Sequence, residues 1–386
     1  MKNKIASKPI FFDLNKTKDI NKLGNYLKTD QIQYKIDEFE VQLKEFFGYK
    51  NPTLVYTPNF NQEFINYVKN LKKEKSLDKY GKWVFFPWLF CLIHILDEKD
   101  FFKVRTMRNQ NLIKEKEQEI YYNSVIGLGG LSVGNSVALS IVLQGGGRHF
   151  RLADFDTMEL SNTNRIRAGI QNLGLLKVEV TARQIYELNP YAKIELFDKG
   201  LTKENIDKFF VGPPKLDIMI DELDNLAVKY LIREKAKKYK IPIVMGADNG
   251  DNAVVDVERY DFKKQPKFFH NRMGDVNYKY LNSLDKLGIG KSITKHIGVE
   301  NVTKRMKDSL LEMGKTIVSW PQLGGAAMLN GSAVAYCVRK ILNKEKIIDN
   351  RSLLSLDEKL IPSYNSKGEK NKRLKDSKAF KEIFGL

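Results

Sequence analysis

Cysteine is nearly absent: Cys91 and Cys337 are the only two in 386 residues. A disulfide scaffold is excluded as the main source of stability, and so is a four-cysteine zinc site. No run of about 18 uncharged apolar residues occurs, so no segment reads as a membrane span. The longest apolar stretch, Trp83 to Ile95, contains Pro87 and His94. The N-terminal MKNKIASKPIFFDLNK lacks an apolar signal core, which argues against export and makes the cytoplasm the default location. Also missing is a basic block interleaved with aromatics of the kind that lines a nucleic-acid groove. The chain nevertheless holds 65 Lys plus Arg against 47 Asp plus Glu, a net charge of +18. Such a surface favours anionic partners, nucleotides included. Because the lysines are spread evenly, nucleic acid itself is disfavoured as a partner.

What is present suits a soluble α/β protein. Hydrophobic residues make up 42% and charged residues 29%, enough for one large domain and a smaller unit. The chain divides into an N-terminal accessory domain, 1–118, a nucleotide-binding domain, 119–345, and a charged C-terminal tail, 346–386. In the first zone, apolar residues recur at helical spacing from Asp30 to Phe47. Leu89 to Leu96 also reads as helix-like. From 119 onward strands and helices alternate. Strands are expected at Ser124 to Gly127, His149 to Ala153, Ile194 to Phe197, Leu216 to Ile220 and, as the last clear one, Ile241 to Met245. Helices are expected at Asn135 to Gln144, Lys177 to Leu188, Asn225 to Tyr239 and Ala326 to Leu342. This alternation predicts a Rossmann-like, doubly wound, mainly parallel sheet with an N-terminal mixed α/β or helical extension. The tail from Asn343 is expected to be mobile or loosely packed.

Three signals carry chemistry. Gly127-Leu128-Gly129-Gly130 lies between a strand and a helix, where backbone amides and a helix N-terminus meet phosphate. The usual third glycine position holds Ser132, with Gly134 two residues on. Asp154 and Asp156 end the second strand, where a carboxylate accepts ribose hydroxyls. Both signals suit NAD and ATP equally. Ser161-Asn162-Thr163-Asn164-Arg165, then Lys177, then Asp221 and Asp224-Asn225 break the tie. An enzyme that splits ATP between the α and β phosphates must neutralise pyrophosphate and hold Mg²⁺ on carboxylate oxygens. A nicotinamide enzyme has no such need.

The order GxGG, ADFD, SNTNR, Lys, Asn-Pro, DxxDN resembles the ThiF/MoeB, ubiquitin-activating-like superfamily of adenylating enzymes, over roughly 240 residues. Arg105-Thr106-Met107-Arg108-Asn109 with Glu117-Gln118 is similar to the family's lead-in. Asp256-Val257-Glu258-Arg259-Tyr260 and Ser319-Trp320-Pro321-Gln322-Leu323 resemble a bacterial branch often associated with nitroreductases. The resemblance implies an adenylyltransferase that uses ATP and Mg²⁺ to convert a carboxylate into an acyl-AMP with release of pyrophosphate. That carboxylate would be a ubiquitin-like C-terminus, a peptide or a small molecule. It further implies that Gly127, Gly129, Gly130, Asp154, Asp156 and Asn162 bind the nucleotide. Arg165 and Lys177 would hold its phosphates and act in catalysis, and Asp224 would bind the metal. Arg105 or Arg108 would act in trans within a homodimer.

The chain departs from the family in two ways. The CxxC pairs that hold zinc in many relatives are missing, and no cysteine lies between Asp224 and Tyr336. The acyl group would therefore pass directly to an external nucleophile. On a helix, Cys91 and His94 would share one face, but Cys91 and Cys337 both read as packing residues. Competing readings are an NAD- or FAD-binding oxidoreductase, which leaves Arg165 and Lys177 unexplained, a tRNA-modifying adenylating dehydratase, and a non-catalytic scaffold.

Overall fold

The computed structural model describes residues 8–386, which fall into two compact units. One comprises residues up to Glu119 together with Ala182–Ala192. The other comprises Ile120–Thr181 and Lys193–Leu386.

In the first unit, β1 (Ile10–Phe12), β2 (Tyr34–Ile36), β3 (Lys82–Phe86) and β4 (Cys91–Ile95) form a four-stranded sheet in the order β1-β3-β4-β2. Helices α1 (Thr17–Lys28), α2 (Phe39–Lys50), α3 (Phe60–Glu74) and α4 (Glu98–Thr106) accompany it, and α5 (Glu115–Asn123) leads into the second unit. One core gathers Phe39, Leu43, Phe46, Phe64 and Val68, and another Phe12, Trp83, Phe85 and Leu92. The helix expected at Leu89 to Leu96 is in fact the strand β4, paired antiparallel with β3. Its side chains alternate between two buried faces, a period-two pattern that a short apolar run disguises. Cys91 and His94, three apart on a strand, therefore point to opposite faces. His94 is stacked between Phe39 and Trp83 at ring-centroid distances of 4.0 and 4.4 Å. Its nitrogens face Asp37 Oδ1 and the Tyr80 carbonyl, both at 2.8 Å, so its role is structural.

The second unit is built on β5 (Val125–Gly129), β6 (His149–Ala153), β7 (Lys193–Phe197), β8 (Ile218–Asp221), β9 (Ile243–Asn249), β10 (Asn252–Glu258) and β11 (Arg351–Leu354). The sheet order is β11-β10-β9-β8-β5-β6-β7. The five strands from β9 to β7 are parallel, and the order reverses between β5 and β8. This is the doubly wound, Rossmann-like arrangement, whose ligand crevice opens at the carboxyl ends of the strands beside that switch point. Its connecting helices are α6 (Val133–Leu143), α7 (Lys177–Leu188), which belongs to it up to Thr181, α8 (Ile206–Val211) and α9 (Leu226–Tyr239). Beyond them follow α10 (Tyr278–Asn282), α11 (Lys286–Ile297), α12 (Lys304–Glu312), α13 (Gly324–Leu342), α14 (Leu356–Leu360) and α15 (Lys367–Phe384). Helix α13 packs closely on α6, because a Cβ at Gly331 would come within 2.7 Å of the Ser136 backbone.

Two differences from the sequence reading stand out here. Ile241 to Met245 does not end the sheet: β10 and β11 add two antiparallel strands. The tail from Asn343, expected to be loosely packed, supplies β11 and α15, and Phe380 and Phe384 pack with Val299 and Leu310. Its charges lie on the outer face while the i, i+4 phenylalanine pair turns inward. No helix among the described residues is long and apolar enough to cross a membrane.

Candidate active site

The glycine loop divides its work. Gly127 and Gly129 serve packing: a Cβ at Gly127 would meet Leu216 at 2.5 Å, and one at Gly129 would meet Leu223 at 3.1 Å. Gly130 alone turns the chain, with φ +85°. A Cβ there would sit 2.3 Å from the Glu222 carbonyl oxygen. The loop thus passes directly over the carboxyl end of β8, as a phosphate-binding turn must. Gly134 lets α6 close on β5, since a Cβ would meet Leu128 at 2.7 Å.

Asp154, at the end of β6, is buried. Its Oδ2 accepts from Leu131 N at 2.6 Å and its Oδ1 from Asp156 N at 2.8 Å. Burial raises its pKa, opposed by these hydrogen bonds and the nearby Lys177 charge. Two backbone bonds aim the carboxylate and leave lone pairs for a further donor. Lys177, buried at the start of α7, donates to Asp156 Oδ2 at 2.7 Å.

The SNTNR segment forms a short 3₁₀ turn, Leu160–Asn164. Asn162 is buried, and its side-chain oxygen accepts from Glu159 N at 3.0 Å. It closes a capping box that fixes the turn, and so it orients Arg165. Arg165 Nε donates to Ser132 Oγ at 2.7 Å, and Nη1 to Asn164 Oδ1 at 2.9 Å. Burial lowers its pKa while the charges of Asp224 and Asp248 oppose that shift. The guanidinium and the exposed Asp224 therefore act on each other at one end of the sheet. Asp221 is not available there, because it is fully buried and paired with Lys229 and Arg233 at 3.1 and 2.6 Å. Arg105 and Arg108 belong to the other unit.

Sequence reasoning missed several members of this cluster. Asp248, near the end of β9, is 6% exposed, and its Oδ1 accepts from Asn330 Nδ2 at 2.5 Å. Burial lifts its carboxyl to about 6, against Asn330, Arg165 and Gln322. Glu222 Oε1 accepts from Gly246 N at 2.8 Å, and burial lifts its pKa well above the ordinary value. The Asp248-Asn249-Gly250 turn after an apolar strand was a visible but unspecific sign. Asn330 lies 82 residues beyond Asp248 and gave none. Among the described residues, no three His, Cys, Asp or Glu side chains converge to hold a metal. A lone exposed carboxylate such as Asp224 suits Mg²⁺, which takes most of its ligands from phosphate and water.

Residues 106–266 match the ThiF family. An uncharacterized protein of Mycobacterium tuberculosis (strain CDC 1551 / Oshkosh) is 32% identical over 293 residues, 75% of this chain and 40% of that protein. The tRNA threonylcarbamoyladenosine dehydratase of Escherichia coli (strain K12) is 31% identical over 150 residues, 38% of this chain and 54% of that one. The molybdopterin-synthase adenylyltransferase of Haemophilus influenzae (strain ATCC 51907 / DSM 11121 / KW20 / Rd) is 29% identical over 138 residues, 36% of this chain and 54% of that one. The chain thus spans from two fifths to just over half of the length of these relatives. The segment that matches the ThiF family, residues 106–266, carries the glycine turn and the parallel strands β5 to β9 of the doubly wound sheet.

Proposed function

We propose that this protein is an ATP-dependent adenylyltransferase that activates a substrate carboxylate as an acyl-AMP. The carboxylate oxygen attacks the α-phosphorus, the bond between the α-phosphorus and the bridging oxygen breaks, and pyrophosphate leaves with the bonding pair. The observation that carries the reading is Arg165 held between the glycine loop and the two carboxylates Asp224 and Asp248. A nucleotide pocket that only bound a dinucleotide would not need that arrangement. In this reading Asp154 receives the ribose hydroxyls and the amides around Gly130 receive phosphate. Arg165 and Lys177 neutralise charge developing on the leaving diphosphate, and Asp224 holds Mg²⁺ with the phosphate oxygens. Catalysis comes from positioning and charge, with no protein nucleophile.

The test is substrate-dependent exchange of labelled pyrophosphate into ATP, with a panel of peptides and small carboxylic acids. Arg165→Ala and Asp224→Ala should each lower exchange at least a hundredfold. Wild-type protein without exchange, or variants with normal exchange, would overturn the reading. The family resemblance of the Arg105–Asn109 segment supports a homodimer in which Arg108 serves the second copy's nucleotide. Mixing Arg108→Ala with Arg165→Ala protein should then restore part of the exchange that each lacks alone. A second reading, a tRNA-modifying dehydratase, draws on the similarity to the Escherichia coli enzyme and on the net charge of +18. It predicts that tRNA, and none of the acids, drives ATP consumption.

A further inference from the structure

The acidic side of the site is larger than a single Mg²⁺ accounts for. Asp248 acts on both Glu222 and Asp224 across the ends of β8 and β9, and Arg165 is the cation that acts on both Asp224 and Asp248. Lys229 also acts on Glu222, but its ammonium is bonded to Asp221. ATP and a carboxylate substrate are both anionic, so the charges of Asp224 and Asp248 oppose them unless another positive or proton-donating group arrives.

Two buried acceptors lack a well-placed donor there. Asp248 Oδ2 and Asn330 Oδ1 are both buried without a partner at good hydrogen-bond geometry, the Gln322 side chain being the nearby donor that acts on the Asp248 carboxyl. Asp248 is 6% exposed and Asn330 is fully buried. The orientation of the Asn330 amide follows from its Nδ2 donating to the Asp248 carboxylate. Leaving two such oxygens dry and unpaired costs roughly 1–3 kcal/mol each, which a ligand with N–H donors would remove. Gly246 lets Asn330 and Glu222 pack against the strand: a Cβ there would come within 3.0 Å of Asn330 Oδ1 and 3.1 Å of Glu222 Oε1. A separate cleft of about 780 Å³ is lined by Asn249, Pro321, Leu323, Thr303, Leu353 and Tyr364, and Asp248 and Asn330 are not part of its lining. Five of these six residues lie beyond the segment that matches the family. Cys337, the only cysteine of this unit, is no alternative acceptor, since burial pushes its thiol up to about 11.

We infer that the group docking against Asp248 and Asn330 is a primary amine, and that it is the nucleophile that takes the acyl group. The inference rests on the adenylation reading. The amine nitrogen attacks the acyl carbon, a C–N bond forms, and the C–O bond to AMP breaks, with AMP keeping the electron pair. The proton lost by nitrogen passes to Asp248 Oδ2. The product is an amide. Asn330 holds the carboxylate in place and gives its own oxygen to a second N–H.

The experiment uses the full chain with an acid that supports pyrophosphate exchange. AMP release and product mass are followed with glycinamide, hydroxylamine, dithiothreitol or buffer alone as the acceptor. Glycinamide and hydroxylamine should raise AMP release at least tenfold over buffer and give the amide and hydroxamate masses, whereas dithiothreitol should not. In Asp248→Asn, the ratio of amine-dependent AMP release to pyrophosphate exchange should fall at least tenfold. Asp248→Glu should recover part of that ratio, which a purely structural role would not predict. If Asp248→Asn fails to fold, Asn330→Asp, which keeps the volume, carries the same ratio test. Thiol acceleration equal to that of amines, or an unchanged ratio in the variants, would overturn the inference and leave adenylation standing. Absence of exchange with any acid would remove both.

Discussion

Arg165 Nε lies 2.7 Å from Ser132 Oγ, so a hydroxyl in the glycine loop fixes the cation that follows the second strand. Ser132 occupies the place where a third loop glycine is usual, and here its side chain has work of its own. Ser132→Ala should leave the fold intact but free the guanidinium. Loss of one charge-assisted hydrogen bond corresponds to about 1.5–3 kcal/mol, or a fall in exchange of roughly tenfold to a hundredfold. Steady-state kinetics that show no change would mean that the hydroxyl does not hold Arg165 in the working state.

Gly130 tolerates no side chain. Its φ is +85°, and a Cβ would collide with the Glu222 carbonyl. Gly130→Ala should destabilise the protein by about 2–4 kcal/mol, combining backbone strain with overpacking. Gly274→Ala is the control. It also has positive φ, at +72°, but open space around the added methyl, so it should cost only about 1 kcal/mol. Equal shifts in denaturant midpoint would refute the close approach.

Beneath the site, Arg233 joins Asp221 and Glu258 at 2.6 and 2.9 Å, all fully buried. Arg233→Met should cost about 3–5 kcal/mol, because two carboxylates lose their shared cation. Adding Asp221→Asn should return part of the loss in a double-mutant cycle. Strict additivity of the two changes would contradict a coupled network.

His296 gives a pH signature. Burial, opposed by Asp256, depresses its pKa to about 4 from the ordinary 6.5. The unfolded chain therefore binds this proton first as the pH falls. The stability that comes from keeping the ring neutral is fully present above about 6.5 and is lost progressively towards 4. The total is on the order of 3 kcal/mol at most. Asp256 stays ionised across that window: burial raises its pKa, but His296 and Arg351 outweigh it and hold the carboxyl far below the usual range. The stability gap between wild type and His296→Gln, measured by denaturant titration, should narrow between pH 7 and pH 4.5. A gap that does not move with pH would exclude the buried neutral ring as its source.

The parts of the molecule legible in the sequence share a physical trait, namely that the information is local. Strand β6 and helix α7 were read at their observed bounds, because their apolar periodicity is complete within a dozen residues. Strand β4 was misread as helix-like, since five consecutive apolar or half-apolar residues buried on both faces carry no clear period. Strand β11 was missed for a different reason: its pairing joins residues 95 apart or more, and such contacts leave no short-range trace. Strand β10 folds back on β9 in a local hairpin, with Asn249 opposite Asn252. The tail was read from its charge, yet β11 pairs with β10 and Phe380 and Phe384 pack with Val299 and Leu310.

By itself the sequence determined the alternating elements, the glycine turn and the ordered set Asp154, Arg165, Lys177 and Asp224, because motif and periodicity are properties of neighbouring residues. The tertiary structure decided which of these residues work together. It buried Asp221 in a structural ion network, turned Asn162 into a brace and set Ser132 against Arg165. It also brought Asp248 and Asn330 together across 82 residues of chain. Such assignments depend on burial and on the approach of distant segments, which the packed chain alone defines.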